Sequence, residues 1–353
     1  MNPPLSYRLL KLYTRTGLRI YFRQWQSAHT ERIPEQGPFI FVANHQNAFL
    51  DALLVVCGIK RNPWFLARGD VFKKDWAVRL LTFLRIKPVY RFRDGHAAMR
   101  NNDKIIRECV DILKQGECVL LFGEGSHNEA YTSRPLQRGF AHVAFQYMDQ
   151  TGKDIAIVPV GFHYEKHEAF RSRVLVQYGE PISAQSVIAG IDDERERFNP
   201  LLHTVGASMR SLMLVVPHDE QYPQRLKYLL NNRHPQPDML QQLEADRKLM
   251  KEWNASMSST SRKRFDWRWI NPIAWYGKLV HLPTDLIMQY IVSKKIKDDQ
   301  FIGSVKVAVG IFLIPIYYLL AILAWYLVTG NPLFTLTFGL SLPLSGLVAY
   351  NKP

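Results

Sequence analysis

Cysteine is scarce in this chain: Cys57, Cys109 and Cys118 are the only 3 in 353 residues. They form no C-x-x-C pair and have no histidine at zinc-site spacing, which argues against both a disulfide framework and a metal site. No metal or cofactor is expected, and buried thiols in a reducing compartment are the simplest reading. Acidic residues are outnumbered as well, 31 Asp and Glu against 45 Lys and Arg, for a net charge of +14 and a pI near 9.6. The partner is therefore expected to be anionic: nucleic acid, lipid headgroups or a phosphorylated substrate. Internal repeats are missing. So is a continuous apolar run near the N-terminus, because Arg8, Lys11, Arg15 and Arg19 interrupt every candidate for a secretory signal. The globular part is expected to stay on the cytoplasmic side.

Long apolar runs occur at the other end. Val305 to Val328 is apolar apart from Lys306, long enough to cross a hydrocarbon core of about 30 Å as a helix. After Thr329-Gly-Asn-Pro332 a second apolar run extends from Leu333 to Tyr350, so a hairpin or a re-entrant pair follows. Leu5 to Trp25 has the spacing of an amphipathic helix, with Arg8, Lys11, Arg15, Arg19 and Arg23 opposite Leu10, Tyr13, Leu18, Tyr21, Phe22 and Trp25. Such a helix suits a membrane interface, or packs on its own domain with a solvated basic face.

From Gly37 to about Pro181 short β-rich runs alternate with helical spacing. Strands are predicted at Pro38–Val42, Trp64–Ala67, Lys87–Tyr90, Cys118–Phe122, Ile155–Val160 and Arg173–Tyr178, and helices at Trp76–Arg85, Asn102–Lys114 and Gly139–Asp149. This alternation implies an α/β domain with a largely parallel central sheet flanked by helices, with ligands at the carboxyl ends of its strands. Asp192 to Tyr228 has helical character and closes the domain. The expected divisions are an interface helix (1–30), a catalytic domain (31–228), a polar helical linker (229–264), an aromatic-rich interfacial segment (265–303) and a two-helix membrane anchor (304–353).

Chemistry gathers after strands. Asn44-His-Gln-Asn-Ala-Phe-Leu-Asp51 follows an apolar strand, and His45 has the side chain suited to deprotonating an alcohol at neutral pH, with Asp51 to orient its ring. On the pair alone, a histidine capping a turn and an aspartate near a helix start is the better reading. Phe122-Gly-Glu-Gly-Ser-His127 places Glu124 and Ser126 around glycines that permit a tight turn with exposed amides, a lining for a phosphate or an oxyanion. Arg91 follows a third strand and suits bidentate phosphate contact. Ile157-Val-Pro-Val160 ends a fourth.

In this order the four blocks resemble the glycerolipid acyltransferase family, whose signature runs N-H-x-x-x-x-D, an apolar block ending in Arg, F-P-E-G-T-R, then V-P-V. The resemblance covers about Pro38 to Pro181. It implies O-acyl transfer from acyl-CoA or acyl carrier protein to a glycerol-phosphate acceptor, either glycerol-3-phosphate or its 1-acyl form, at a membrane. It implies His45 as base, Asp51 as orienting carboxylate, Arg91, Glu124 and Gly125 at the acceptor site, and Pro159 shaping the acyl side. Membrane lipids are the expected surroundings, and the ordered blocks oppose a nucleic-acid partner.

The departures are specific. Five residues rather than four separate His45 from Asp51, so either Asp51 meets the ring from a longer turn or Asn47 shares its role. The H-x-N-x-x-x-D form is similar to a branch with fungal glycerol-3-phosphate and dihydroxyacetone-phosphate acyltransferases. Gly123, Ser126 and His127 replace the Pro, Thr and Arg of the third block, and Arg138 is the candidate to compensate for that arginine. The altered block leaves room for a catalytically inactive lipid-binding or scaffolding relative, or for a non-phosphate lipid acceptor.

Overall fold

The computed structural model of the protein describes residues 3–72, 74–89, 96–254, 270–296 and 301–350. In chain order the elements are α1 (Leu5–Tyr21), β1 (Gln24–Ala28), β2 (Phe39–Ala43), α2 (Ala48–Gly58), β3 (Trp64–Arg68), α3 (Asp75–Phe83), β4 (Ile86–Val89), α4 (His96–Lys114), β5 (Cys118–Phe122), α5 (Gly139–Thr151), β6 (Ala156–Tyr164), β7 (Arg173–Tyr178), β8 (Ile182–Ser183), α6 (Ala184–Val187), α7 (Phe198–Ser211), α8 (Tyr222–Asn232), α9 (Met239–Glu252), α10 (Pro272–Lys295), α11 (Ile302–Thr329) and α12 (Pro332–Tyr350). The strands form one sheet in the order β1-β7-β6-β2-β5-β3-β4, with β8 beside β6. Pairing is parallel except where β6 meets β7 and β8.

Helices cover both faces, so the central strands must be apolar on both sides. In β2, Phe39, Phe41 and Ala43 enter one core with Leu54, Val158 and Phe162, while Ile40 and Val42 enter the other with Val110, Phe140 and Ile157. This side-to-side alternation is the pleat, and it sends β2 straight through the middle of the domain. The three cysteines are free and buried. Burial pushes Cys57 and Cys109 up to about 12 and Cys118 to about 11, so none is a reactive thiolate at neutral pH.

Several elements depart from the sequence-based expectation. The N-terminal helix ends at Tyr21, and Trp25 lies in β1, whose partner β7 is remote in sequence. Leu18, Tyr21 and Phe22, expected on the lipid side, are buried in the domain core. Lys11 turns inward too: its ammonium donates to the carbonyls of Ile59 and Arg61 and to Asn62 Oδ1, and burial pulls it down to about 8. What remains outside is Arg8, Arg15 and Arg19 beside exposed Leu5, Leu9, Leu12 and Ile20, so an amphipathic outer face exists with different apolar residues. The helical stretch from Asp192 to Tyr228 is divided between α7 and α8.

At the C-terminus α11 and α12 are both long and apolar enough to cross a membrane. The segment read as interfacial contains a further helix, α10, packed along α12. Tyr276 Oη meets Ser341 Oγ at 2.8 Å and the Tyr350 hydroxyl donates to Asp285, so α10 and α12 run in the same direction. Close approach at Gly277 and Gly346 makes this possible, since a Cβ on Gly277 would lie 2.3 Å from the Ser345 carbonyl oxygen.

A buried polar network holds α8 and α9 to the sheet. Asp246 accepts from Arg233 Nε at 3.0 Å and Gln242 Nε2 at 2.9 Å, and pairs with His163 Nε2 at 3.0 Å. Removing one partner strands the others in low dielectric. Asp246→Ala should lower unfolding stability by about 3 kcal/mol and open the segment 222–252 to protease, measured in detergent by thermal unfolding and limited proteolysis; wild-type resistance would refute the clamp.

Candidate active site

The chain leaves β2 at Ala43 and must turn sharply to start α2 at Ala48, whose φ of 39° lies in the left-handed region that alanine rarely adopts. The turn is held from several sides. Asn44 Oδ1 accepts from Phe162 N–H at 2.8 Å, tying the end of β2 to β6. Asp51, in the first turn of α2 and fully buried, accepts on Oδ2 from the amides of Gln46 and Asn47, both at 2.8 Å. The same oxygen lies 2.9 Å from His45 Nδ1. Tyr164, from β6, donates its hydroxyl to Asp51 Oδ1 at 2.5 Å. Burial above all, and then the Asp51 charge, pushes the Tyr164 phenol well above its ordinary range, so it stays protonated as a donor.

The six-residue offset is thus accommodated. Asp51 reaches the ring directly, while the Asn47 side chain turns away and donates to the His167 carbonyl at 2.7 Å. With Nδ1 held by the carboxylate, the lone pair of a neutral His45 sits on Nε2. The ring stacks on Phe122 with centroids 3.8 Å apart, and the His127 ring meets its edge at 5.5 Å.

The third block closes over this turn. Asn128 N–H donates to the His45 carbonyl at 2.8 Å, and His45 N–H to Glu124 Oε2 at 3.3 Å. Gly123 and Gly125 N–H close back on Ala43 and Phe122 carbonyls at 3.0 and 3.1 Å, so these two amides are not the exposed donors that the glycines suggested. Gly125 adopts a φ of +71°, which favours glycine, and a Cβ on Gly123 would lie 2.9 Å from side-chain carbons of both Val42 and Leu136, so that turn packs closely on β2.

Arg138, the expected substitute for the missing motif arginine, does not face Glu124. Its guanidinium lies over the Phe198 ring, 5.2 Å from the centroid, and Arg134 is the cation that pairs with Glu124. Arg134 Nη2 donates to Glu124 Oε2 at 2.8 Å, Nη1 donates to Ser126 Oγ at 2.8 Å, and its own N–H donates to Glu124 Oε1 at 3.1 Å. Pro159 lies in the sheet opposite Val42, and its carbonyl accepts from Gly179 N–H at 2.8 Å. Arg91 lies outside the described residues.

Sequence reasoning missed Tyr164 and Arg134. Tyr164 lies five residues beyond Pro159 and carried no signal until β6 placed it over α2, whereas Arg134 opens the basic phrase Arg134-Pro-Leu-Gln-Arg-Gly139 close behind the third block.

Comparison with known proteins gives the class. A protein-family model described as Acyltransferase matches residues 25–163. These residues match an acyltransferase domain, and the chain is similar to the glycerolipid acyltransferases. Glycerol-3-phosphate O-acyltransferase 2 of Saccharomyces cerevisiae is 31% identical over 121 residues, 33% of this chain and 16% of the yeast protein. Glycerol-3-phosphate O-acyltransferase 1 of the same yeast is 26% identical over 281 residues, 54% and 37% of the two chains. The match therefore spans well under half the length of either relative. Among solved structures, the 1-acyl-sn-glycerophosphate acyltransferase PlsC of Thermotoga maritima is similar with a TM-score of 0.42 and 19% identity, covering 58% of this chain and 78% of that one.

The geometry of this acyltransferase domain can be tested at two side chains beside the histidine. Tyr164→Phe keeps the ring but removes a donor to Asp51; kcat should fall about tenfold with both substrate KM values within twofold, and unchanged kcat would remove Tyr164 from the site. Burial pulls the neighbouring His167 down from 6.5 to about 4. Below pH 6.5 the unfolded chain takes up a proton that the folded ring refuses, so His167 leaves stability undiminished above 6.5 and lowers it as pH drops toward 4. The loss should reach on the order of 2 to 3 kcal/mol, and His167→Gln should flatten that part of the profile in unfolding experiments run from pH 7 to pH 4.

Proposed function

We propose that this protein transfers a fatty acyl group from an acyl thioester, acyl-CoA or acyl carrier protein, to a hydroxyl of a glycerol-phosphate acceptor, glycerol-3-phosphate or its 1-acyl form. The observation that carries the reading is the His45–Asp51 contact on a turn that a buried carboxylate organises. His45 Nε2 removes the acceptor's hydroxyl proton as that oxygen attacks the thioester carbonyl. The tetrahedral intermediate collapses by breaking the C–S bond, and the proton passes from Nε2 to the departing sulfur as free thiol. Asp51 stabilises the transient imidazolium and fixes its tautomer. No acyl-enzyme forms in this scheme, and hydroxyl, ester and thiol account for every proton.

The acceptor's phosphate is assigned to Arg134 and Arg91, with Glu124 orienting Arg134. Purified protein given one radiolabelled acyl thioester and a panel of acceptors should release thiol only with glycerol-phosphate acceptors. His45→Ala should lower the rate by about 10²- to 10⁴-fold; a preparation that consumes no thioester with any acceptor would instead establish a lipid-binding relative. Arg134→Ala should raise the acceptor's KM at least tenfold and leave the donor's KM within twofold, with Arg138→Ala near wild type. Equal rises for both substrates would make Arg134 structural.

The site is assigned to a membrane surface through α11, α12 and the outer face of α1. If α11 and α12 span, a cysteine at Asn331 reacts with an impermeant reagent only from the side opposite the catalytic domain. A second arrangement, the helices lying within the interface, is favoured by the shared direction of α10 and α12. It puts the start of α10 toward the Gly330 turn, and Arg262, Lys263 and Arg264 shortly precede that start in sequence. In that case Asn331→Cys is labelled from the catalytic side.

A further inference from the structure

The first turn of α11 makes an unexpected connection to the catalytic turn. Asn47 is the residue at the N-cap of α2, a position where asparagine ordinarily accepts a hydrogen bond from the backbone two or three residues on. Here it makes no such bond, because its amide nitrogen donates to the His167 carbonyl instead. The missing cap comes from a residue 257 positions further along the chain. Leu50 N–H donates to the Asn47 carbonyl at 2.9 Å and shares its proton with Ser304 Oγ at 3.0 Å, while that hydroxyl donates to the same carbonyl at 3.0 Å, so Ser304 braces both ends of the turn from which Asp51 projects.

The surroundings commit α11 to this seat. A Cβ at Gly303 would lie 2.7 Å from Asn47 Oδ1 and 2.9 Å from the His167 carbonyl oxygen, so the helix approaches as closely as a backbone can. Phe301 packs edge-on against His127 at 4.7 Å, and His127 in turn meets His45. Ser304 and Val307 are buried, and Lys306 Nζ donates to the Glu168 carbonyl at 3.3 Å. With 28 residues α11 is about 42 Å long. A hydrocarbon core takes about 20 residues, which leaves the turns around Ser304 to dock on the catalytic domain.

We propose that Ser304 is a positioning residue of the acyl-transfer site: its hydroxyl, delivered by the apolar helix α11, caps α2 and thereby holds Asp51 and His45 in register, so the site is complete only when that helix is seated. The inference rests on the reading of His45 as general base. It makes the membrane segment part of the catalytic framework as well as an anchor. The left-handed Ala48 between Asn47 and Asp51 is a local conformation that needs such support from outside the turn.

The test uses the full chain in its membrane or in detergent, with Ser304→Ala, Ser304→Cys and Ser304→Thr beside a His45→Ala control. Cysteine preserves the size but hydrogen-bonds weakly, and threonine preserves the hydroxyl. The alanine and cysteine variants should lose about 10- to 100-fold in kcat, with both KM values within twofold. Hydrogen exchange should quicken in the segment 46–52 and remain unchanged in β5. Threonine should keep at least half of the wild-type kcat. If the alanine variant does not accumulate, the cysteine and threonine pair decides alone. Wild-type kcat in Ser304→Cys, or an equal loss in cysteine and threonine variants, would overturn the proposal while leaving the role of His45 intact. A fully active His45→Ala would overturn the underlying reading instead.

Discussion

One buried carboxylate organises the His45 end of this molecule. Asp51 has no exposed surface, and its two oxygens meet two backbone amides, an imidazole nitrogen and a phenol. A carboxylate so far from water is tolerable only with its lone pairs answered by well-placed donors. Satisfying them fixes the shape of the turn from Asn44 to Ala48, the rotation of the His45 ring and the height at which α2 begins. The sheet supplies the donors: β2 delivers the turn and β6, its parallel neighbour, delivers Tyr164. The order of strands around β2 is therefore a requirement of the site as well as of the core.

The third block performs a related task from the other side. Its glycines let the segment after β5 fold down onto the end of β2, and Glu124 joins the His45 amide to the Arg134 guanidinium. Replacing the usual block arginine by His127 did not leave the site without a cation, because the chain returns Arg134 to the same carboxylate. The substitution also places an imidazole where Phe301 can pack, so the altered block and the first turn of α11 fit one another.

Charge and apolar surface are distributed in agreement with this arrangement. Lys11 is drawn into the domain as a helix fastener, while Arg8, Arg15 and Arg19 remain outside next to exposed leucines. The large exposed apolar side chains are concentrated in α10, α11 and α12, with further examples on α1 and α3. The net positive charge of the chain is thus partly structural, in Lys11 and Arg233, and partly available to an anionic surface.

The sequence by itself determined the class of fold, because strands buried on both faces and helices with periodic apolar stripes carry their own signatures. Six strands, among them Cys118–Phe122 and Arg173–Tyr178 with those same bounds, were legible in this way, as were the long apolar runs of α11 and α12. The ordered blocks around His45 and Glu124 pointed to residues that the structure brings together, since spacing after a strand is a local property. Local spacing could not find β1, a short segment that becomes a strand only through β7, nor separate the stripe of α1 that enters the core from the one left outside. It left Asn47 open beside Asp51 and named Arg138 where Arg134 meets Glu124, because each assignment turns on a side-chain direction. Tyr164 and Ser304 lie 113 and 254 positions from the α2 groups they bond. Only the tertiary structure decided their part, since a hydrogen bond depends on distance in space and leaves no periodic trace along the chain.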